Sequence, residues 1–297
     1  MIELAPAHKY GLSLPTPVMP AAGTFGYGDA YRDLVESDVL GAIVTNPISL
    51  RPRMAARGQR LAVRGGHFIV HTGLPNSGVR TIIRQYRKYW ERSNVPIIPH
   101  LIATTPGETS RAAVQLSAAR GVGGIELGLA ENTSEEQAVD LLHAAQEGSG
   151  LPIIARVPFG RVEALAPLLA EAGAEALTLT APPRAVLPIA SETLGGGTSD
   201  DVCEPTGNEA VRFMRGRLYG PALFPLLLDT LARWATPGPE KLHVPIIACG
   251  GIASPEDALA CISLGATAVQ VDAQLWRNPA LLAQIAEGIR ASENSTL

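Results

Sequence analysis

A short apolar phrase with proline at its second position occurs three times in this chain of 297 residues. It reads Val-Pro-Ile-Ile at 95–98 and 244–247, and Leu-Pro-Ile-Ile at 151–154. Runs that are apolar at successive positions are typical of parallel strands buried on both faces, and a proline at the strand's first position removes no ladder hydrogen bond. Five further runs have the same character and bring the candidate strands to eight: 17–22, 42–45, 124–127, 176–180 and 268–271.

Helical patterns separate many of these strands. They cover 107–120, 133–147 and 161–172, and another helix begins at Ser254, with Pro255 at its first position. Strands and helices that alternate at this spacing indicate right-handed βαβ units in a parallel sheet. Eight such strands in a chain of this length favour a closed (β/α)8 barrel, the TIM barrel, as a single domain over 1–297. An open doubly wound sheet is the alternative fold.

Two connections are too long for plain crossovers, namely 47–78 after the second strand and 182–221 after the sixth. Long loops after barrel strands lie at the C-terminal face, where binding sites are built. We therefore expect both loops to cover a site. The second loop contains a glycine run at 195–197, which predicts a flexible tip, and Cys203, whose acidic neighbours disfavour a reactive thiolate.

The charge balance excludes several classes of partner. The chain has 24 Lys and Arg residues and 28 Asp and Glu residues, so its net charge is −4. This balance lacks the excess of positive charge that binding to a nucleic-acid backbone requires. No uninterrupted apolar stretch reaches the ~18 residues of a membrane span, and the start lacks the features of a signal peptide. Three cysteines without a C-x-x-C motif argue against a disulfide framework. We expect a cytoplasmic globular protein with a small-molecule ligand, and neither a nucleic acid nor a membrane as partner.

Four short motifs lie near the predicted strand ends. They are Met-Pro-Ala-Ala-Gly-Thr-Phe-Gly at 19–26, Gly-Leu-Pro-Asn-Ser-Gly at 73–78, Gly-Pro-Ala at 220–222 and Cys-Gly-Gly-Ile at 249–252. In this order they resemble the class 1 dihydroorotate dehydrogenase family, and the resemblance extends over nearly the whole chain. It implies a (β/α)8 barrel that oxidises dihydroorotate with FMN in pyrimidine metabolism, and a homodimer.

The resemblance also implies site residues. Carried over position by position, it places the cofactor at Ala22, Gly23, Asn46, Arg156, Gly220, Gly250 and Gly251. It places the substrate at His71, Gly73, Leu74 and Asn76.

The chain departs from the family's pattern where the chemistry takes place. Two lysines that contact the flavin correspond to Asn46 and Arg156. Asparagines that hold the substrate correspond to other residue types, at Val70, Gly128, Thr133 and Ala181. Each polar group of orotate left unpaired would lose about 1–3 kcal/mol. We therefore expect a flavin oxidoreductase whose substrate is not dihydroorotate, with a non-catalytic barrel relative, a regulatory or partner subunit, as the alternative.

Two acidic residues bear on whether the chain is a flavin oxidoreductase or a non-catalytic relative. Glu131 stands where the family has its catalytic base, and it is either that base or a solvated residue at the start of the next helix. Asp272 stands where the family has a glycine beside the cofactor phosphate, so its carboxylate would repel that phosphate. The paired glycines Gly250 and Gly251 favour FMN binding, since they leave backbone N–H groups bare at a helix start.

A metal site is the remaining possibility. His71 and His100 lie near strand ends, with Glu126 and Asp272 on neighbouring strands. The chain lacks the H-x-x-E and H-x-H spacings of metal ligands at these positions. We therefore expect two unrelated histidines and no metal.

Overall fold

The computed structural model describes residues 1–31, 35, 39–189, 202–203 and 212–295. Its strands are β1 (Ile2–Glu3), β2 (Ser13–Leu14), β3 (Val18–Pro20), β4 (Ile43–Val44), β5 (Leu61–Arg64), β6 (His67–Val70), β7 (Ile97–Ile98), β8 (His100–Ile102), β9 (Ile125–Gly128), β10 (Ile153–Pro158), β11 (Ala176–Ala181), β12 (Arg184–Ile189), β13 (Val202–Cys203), β14 (Arg212–Tyr219), β15 (Ile246–Cys249) and β16 (Ala268–Val271). Its helices are α1 (Val79–Trp90), α2 (Pro106–Ser117), α3 (Glu135–Ser149), α4 (Val162–Glu171), α5 (Leu223–Trp234), α6 (Pro255–Ser263) and α7 (Leu281–Ser295).

Seven parallel strands form the central sheet, in the order β3-β16-β15-β11-β10-β9-β8. The last strand in the sequence, β16, pairs with the early strand β3, so the sheet brings late and early parts of the chain side by side. This confirms an α/β fold of the TIM-barrel type. Eight strands in one sheet are not confirmed, because β4 pairs with β7 in a separate two-stranded sheet. A hydrogen bond from Gly41 N to Val18 O places the start of that strand beside β3.

The predicted helices are present as α2, α3, α4 and α6. The predicted start of α6 is confirmed, since Ser254 Oγ accepts a hydrogen bond from Asp257 N at 3.2 Å, with Pro255 in the first turn. Helix α3 begins with a capping box between Ser134 and Gln137. No helix within the described ranges is both long and apolar enough to cross a lipid bilayer.

The two long connections are not simple loops. They contribute strands to one antiparallel sheet, in the order β12-β14-β6-β5, and β13 pairs with β14. Along β12 the side chains alternate between more and less exposed, as expected of a sheet with one face covered. The covered face buries four apolar side chains together: Ala62, Ile69, Ile189 and Met214. The glycine run 195–197 and the side chain of Cys203 lie outside the described residues.

The apolar interior of the barrel occupies its N-terminal end. There the hairpin of β1 and β2 packs Leu4 and Leu14 against strand residues such as Met19, Ile98 and Ile247. Polar side chains replace this packing toward the carboxyl ends of the strands. The antiparallel sheet stands over that polar end, so the architecture places a site there. The organisation as one domain over 1–297 stays a prediction.

Candidate functional site

A cavity of about 320 Å³ lies at the carboxyl ends of the parallel strands, under the antiparallel sheet. Six of the predicted cofactor or substrate residues line it: Ala22, Gly23, Asn46, His71, Gly73 and Leu74. Three arginines, Arg53, Arg184 and Arg217, line it as well. Cationic side chains at a concave surface raise the local concentration of anions, so this cavity suits an anionic ligand.

Part of the cavity wall has unused hydrogen-bonding capacity. Asn46 Oδ1 is buried and has no hydrogen-bond partner within the protein. A buried acceptor without a donor is rare in folded proteins and indicates a missing ligand or water. Gly23, which also lines the cavity, has φ of 91° and no heavy atom within 4 Å of the place where a Cβ would be. The backbone at this point is therefore bare toward the cavity.

Two aromatic side chains form another part of the wall. Tyr219 and Trp276 line the cavity, with ring centroids 6.0 Å apart. Phe68 stacks on Tyr219 with a centroid distance of 5.5 Å. Burial and the nearby Asp272 raise the pKa of Tyr219 to about 12, so its hydroxyl stays protonated at neutral pH. A cavity lined by aromatic side chains and by bare backbone suits a flat ring system.

The predicted substrate residue Asn76 holds a loop together. Its Oδ1 accepts hydrogen bonds from Gly78 N at 2.9 Å and from Ser49 N at 3.3 Å, and its Nδ2 donates to Ser49 Oγ at 2.9 Å. These contacts fix the segment that carries Gly73 and Leu74 against the cavity. A role of Asn76 in binding substrate stays a prediction.

Glu131 forms ion pairs with two of the arginines of the cavity wall. Its Oε1 lies 2.8 Å from Arg217 Nη1, and its Oε2 lies 3.6 Å from Arg184 Nε. The same Oε1 accepts a hydrogen bond from the backbone N–H of Arg184 at 3.1 Å. Glu131 thus joins the loop after β9 to the antiparallel sheet. Its assignment as the catalytic base stays a prediction.

A network of buried polar side chains lies inside the barrel, with Glu126 of β9 at its centre. Glu126 Oε1 accepts hydrogen bonds from Gln270 Nε2 at 2.7 Å and from Thr178 Oγ1 at 2.9 Å. Its Oε2 lies 2.6 Å from His100 Nδ1 and 3.6 Å from Arg156 Nη1. Four strands therefore converge on one carboxylate that has no exposed surface.

Arg156, predicted to contact a flavin, belongs to this network. Its Nη1 donates to Gln270 Oε1 at 2.8 Å and its Nη2 contacts Cys249 Sγ at 3.4 Å. Burial alone would raise the pKa of Glu126, but the Arg156 charge, the His100 contact and the Gln270 hydrogen bond outweigh it and hold that pKa at about 2. Burial raises the pKa of Cys249 to about 12, so the thiol is not a nucleophile at neutral pH.

The lack of a side chain at Gly128 leaves room for the imidazole ring of His100. A Cβ at Gly128 would lie 2.4 Å from His100 Nε2, which is closer than real Cβ contacts. The imidazole therefore fills space that a side chain at this strand end would need. The asparagine that the resemblance implies at this position is incompatible with the histidine in its present position.

The Gly128→Ala variant is expected to lower the free energy of unfolding by about 1–3 kcal/mol, because the added methyl group displaces a ring that Glu126 holds. Gly160→Ala is the matched control, since nothing lies within 4 Å of a Cβ there. Urea unfolding measures both variants. Equal stability of the two variants would contradict the close packing of His100.

The segment predicted to hold a phosphate is occupied by a side chain of the protein. Asp272 Oδ2 accepts a hydrogen bond from Gly251 N at 3.3 Å, and the residue is 2% exposed. Burial raises the pKa of Asp272, and the N–H groups of Gly251, Gln274 and Ala273 and the charge of Arg156 partly offset that effect.

The glycines Gly250 and Gly251 have φ of 135° and 72°. A Cβ at Gly251 would lie 2.6 Å from Phe224 N, and one at Gly220 would lie 2.5 Å from His67 Nδ1. Close packing thus accounts for glycine at both of these positions without a ligand. The cofactor roles of Gly220, Gly250 and Gly251 stay predictions.

Several polar residues of the buried network and the cavity wall were not identified from the sequence. Glu126 and His100 were considered only as metal ligands, and Gln270, Thr178 and Tyr219 were not singled out. The signal of Glu126, Thr178 and Gln270 is a polar residue within a largely apolar strand, which predicts a buried hydrogen-bond network. Tyr219 has no such signal, because its strand contains three arginines. Within the described ranges, no group of three or more His, Cys, Asp or Glu side chains could hold a metal ion.

Comparison with known proteins identifies the family to which this chain belongs. The family model for dihydroorotate dehydrogenase matches residues 6–138 and 196–292. The chain is 31% identical to the dihydroorotate dehydrogenase B (NAD(+)) catalytic subunit of Pelobacter propionicus, over 94% of this chain and 90% of that protein. It is 28% identical to the protein of that name from Bacillus pumilus, over 93% of this chain and 87% of the relative.

A solved structure has a similar fold. It is the crystal structure of DHODH in complex with ferulenol from Eimeria tenella, which matches with a TM-score of 0.71. The match covers 100% of this chain and 88% of that chain, at 15% sequence identity. At this identity the likeness is one of fold alone.

Proposed function

Because the chain belongs to the dihydroorotate dehydrogenase family, we propose that it is a flavin-dependent oxidoreductase, and that its substrate is an anion other than dihydroorotate. Enzymes of this family are FMN-dependent. The observation that carries the proposal is the cavity at the strand ends, in which Ala22, Gly23 and Asn46 lie together where the resemblance expects the flavin.

The ring end of the cofactor fits the residues present. The bare backbone at Gly23 leaves room for a flat ring, and Asn46 Oδ1 is an acceptor in need of a donor such as a ring N–H. The phosphate end does not fit, because Asp272 holds the N–H of Gly251. A bound flavin would supply an acceptor for two electrons and a proton from the substrate.

The cationic wall defines the class of substrate. Arg53, Arg184 and Arg217 line the cavity, and Glu131 balances part of this charge. A guanidinium group presents its donors in a planar fork that matches a carboxylate. These side chains would bind and orient an anionic group, and the loop that Asn76 holds would limit the access of water.

This cavity lacks hydrogen-bond partners for some polar groups of dihydroorotate. Its ring carries amide and carbonyl groups that need partners once they leave water, and an unpaired group loses about 1–3 kcal/mol. Val70, which lines the cavity, offers no polar atom in its side chain. Gly128 and Ala181, which the resemblance also assigns to the substrate, lack polar side-chain atoms as well and do not line the cavity. The names of the relatives do not support this departure from dihydroorotate, so its support comes from these residues alone.

Anaerobic mixing of the flavin-loaded protein with dihydroorotate tests the substrate proposal. We expect no bleaching of the flavin absorption, because the ring of this substrate finds too few partners. Photoreduction of the same sample is the control, since it shows that the bound flavin can be reduced. Rapid bleaching by one equivalent of dihydroorotate would contradict the proposal.

A non-catalytic relative is the second candidate. The Asp272 contact with Gly251 favours it, since an internal carboxylate already satisfies the anion site. A colourless protein that takes up no flavin of any kind would support this candidate. The relatives are named catalytic subunits, so a partner subunit is compatible with either candidate. A homodimer stays a prediction.

A further inference from the structure

We infer that Asp272 takes the place of the cofactor phosphate, so that the chain binds a flavin without that phosphate, such as riboflavin, in preference to FMN. This inference rests on the proposed function, since it concerns the flavin that would occupy the same cavity. The ligand class is thus a flavin without a phosphate group, and the Asp272 carboxylate occupies the anion site in place of that phosphate.

The position of Asp272 is the first observation. It follows β16 directly, and β16 pairs with β3, whose carboxyl end leads into Ala22 and Gly23 of the cavity wall. Neither Asp272 nor Gly251 lines the cavity itself, but Trp276, four residues after Asp272, does. Successive backbone N–H groups at such a turn form a concave anion site, and here the anion is part of the protein.

The burial of Asp272 is the second observation. The residue is 2% exposed, so water screens its charge only weakly. Its Oδ2 already accepts the N–H of Gly251 at 3.3 Å. Burial raises the pKa of Asp272, and the N–H groups of Gly251, Gln274 and Ala273 and the charge of Arg156 partly offset that effect. A phosphate that entered this site would have to displace the carboxylate from these donors while both remain buried.

The charges then determine the preference. A phosphate monoester carries nearly two negative charges at neutral pH, and a like charge within a few ångströms disfavours it strongly. Among the described residues, the cation whose charge acts on Asp272 is Arg156, which Glu126, Gln270 and Cys249 already engage. Riboflavin carries the same ring without the phosphate charge, so it avoids this repulsion.

Fluorescence titration of the full-length apoprotein with riboflavin and with FMN tests the inference. We expect the wild-type protein to bind riboflavin at least ~10-fold more tightly than FMN. The Asp272→Asn variant keeps the shape and removes the charge, so this ratio should fall toward one. The Asp272→Gly variant also opens the space, and it should prefer FMN. Glu163→Gln is the control, since this exposed carboxylate pairs with Arg233, neither residue lines the cavity, and the variant should leave the ratio unchanged.

The outcomes separate the two proposals. Preference of the wild-type protein for FMN would overturn the inference and leave the flavin-dependent function standing. The same discrimination in wild type and Asp272→Asn would also overturn it, and this comparison remains valid if Asp272→Gly fails to fold. Absence of binding of both flavins by all variants would overturn the inference and the flavin-dependent function together. Binding of riboflavin by the wild-type protein, together with a preference for FMN that appears only in Asp272→Gly, would support the inference.

Discussion

Replacement of Glu126 by leucine is expected to lower the free energy of unfolding by about 3–5 kcal/mol, because it leaves Arg156 buried without its counter-charge. The variant also removes the acceptor of Gln270 Nε2 and Thr178 Oγ1, two donors that no water can reach. Urea unfolding followed by circular dichroism measures the change. Glu163→Leu is the matched control; this carboxylate is exposed and paired with Arg233, so the loss there should stay below about 1 kcal/mol.

A double variant separates charge from packing. Arg156→Met alone should destabilise by a similar ~3–5 kcal/mol, since it leaves the Glu126 carboxylate buried without the cation. The combination of Glu126→Leu and Arg156→Met removes both charges, so its effect should be smaller than the sum of the single effects. Strict additivity would show that the two side chains do not act as a pair.

Acid should destabilise the wild-type protein by ~3 kcal/mol more than the Glu126→Gln variant. The pKa of Glu126 is lowered from 4.5 to about 2 in the folded protein, so the native state favours the charged carboxylate. This stabilisation is complete above the unfolded pKa near 4.5 and disappears as the pH falls through about 2. Glutamine does not titrate, so its variant lacks this contribution at every pH.

Urea midpoints of wild type and Glu126→Gln at several pH values between about 5 and 2 measure the difference. The other carboxylates are shared by both proteins, so their effects cancel in the comparison. Parallel curves over this range would show that Glu126 is not held as a buried anion.

Local patterns in the sequence predicted six of the seven strands of the central sheet and four helices, but they missed β8. The Pro-Ile-Ile phrases mark strands buried on both faces, and Ser254 with Pro255 marks a helix start, because both signals act within a few residues. The antiparallel sheet was missed, since its strands come from connections more than 100 residues apart and pair only once the barrel has formed. Short exposed strands such as Leu61–Arg64 also lack a clear apolar alternation.

The site shows the same division between local and distant signals. The resemblance assigns Ala22, Gly23 and Asn46 to the cofactor and Gly73 to the substrate. All four line one cavity, and their roles in binding stay predictions. The contact of Glu131 with Arg217 was not foreseeable, because it joins residues 86 positions apart through the antiparallel sheet. Long-range ion pairs of this kind depend on the closed fold and not on spacing in the sequence.

Titration of the purified, flavin-loaded protein with orotate decides whether this chain has lost the pyrimidine ligands of its family. Orotate needs hydrogen-bond partners around its whole ring, and the cavity offers the apolar Val70 where the family has an asparagine. Calorimetry is expected to show no saturable binding of orotate to the flavin-loaded protein. Saturable, tight binding with one orotate per chain would contradict the proposed function and return the protein to the activity for which its relatives are named.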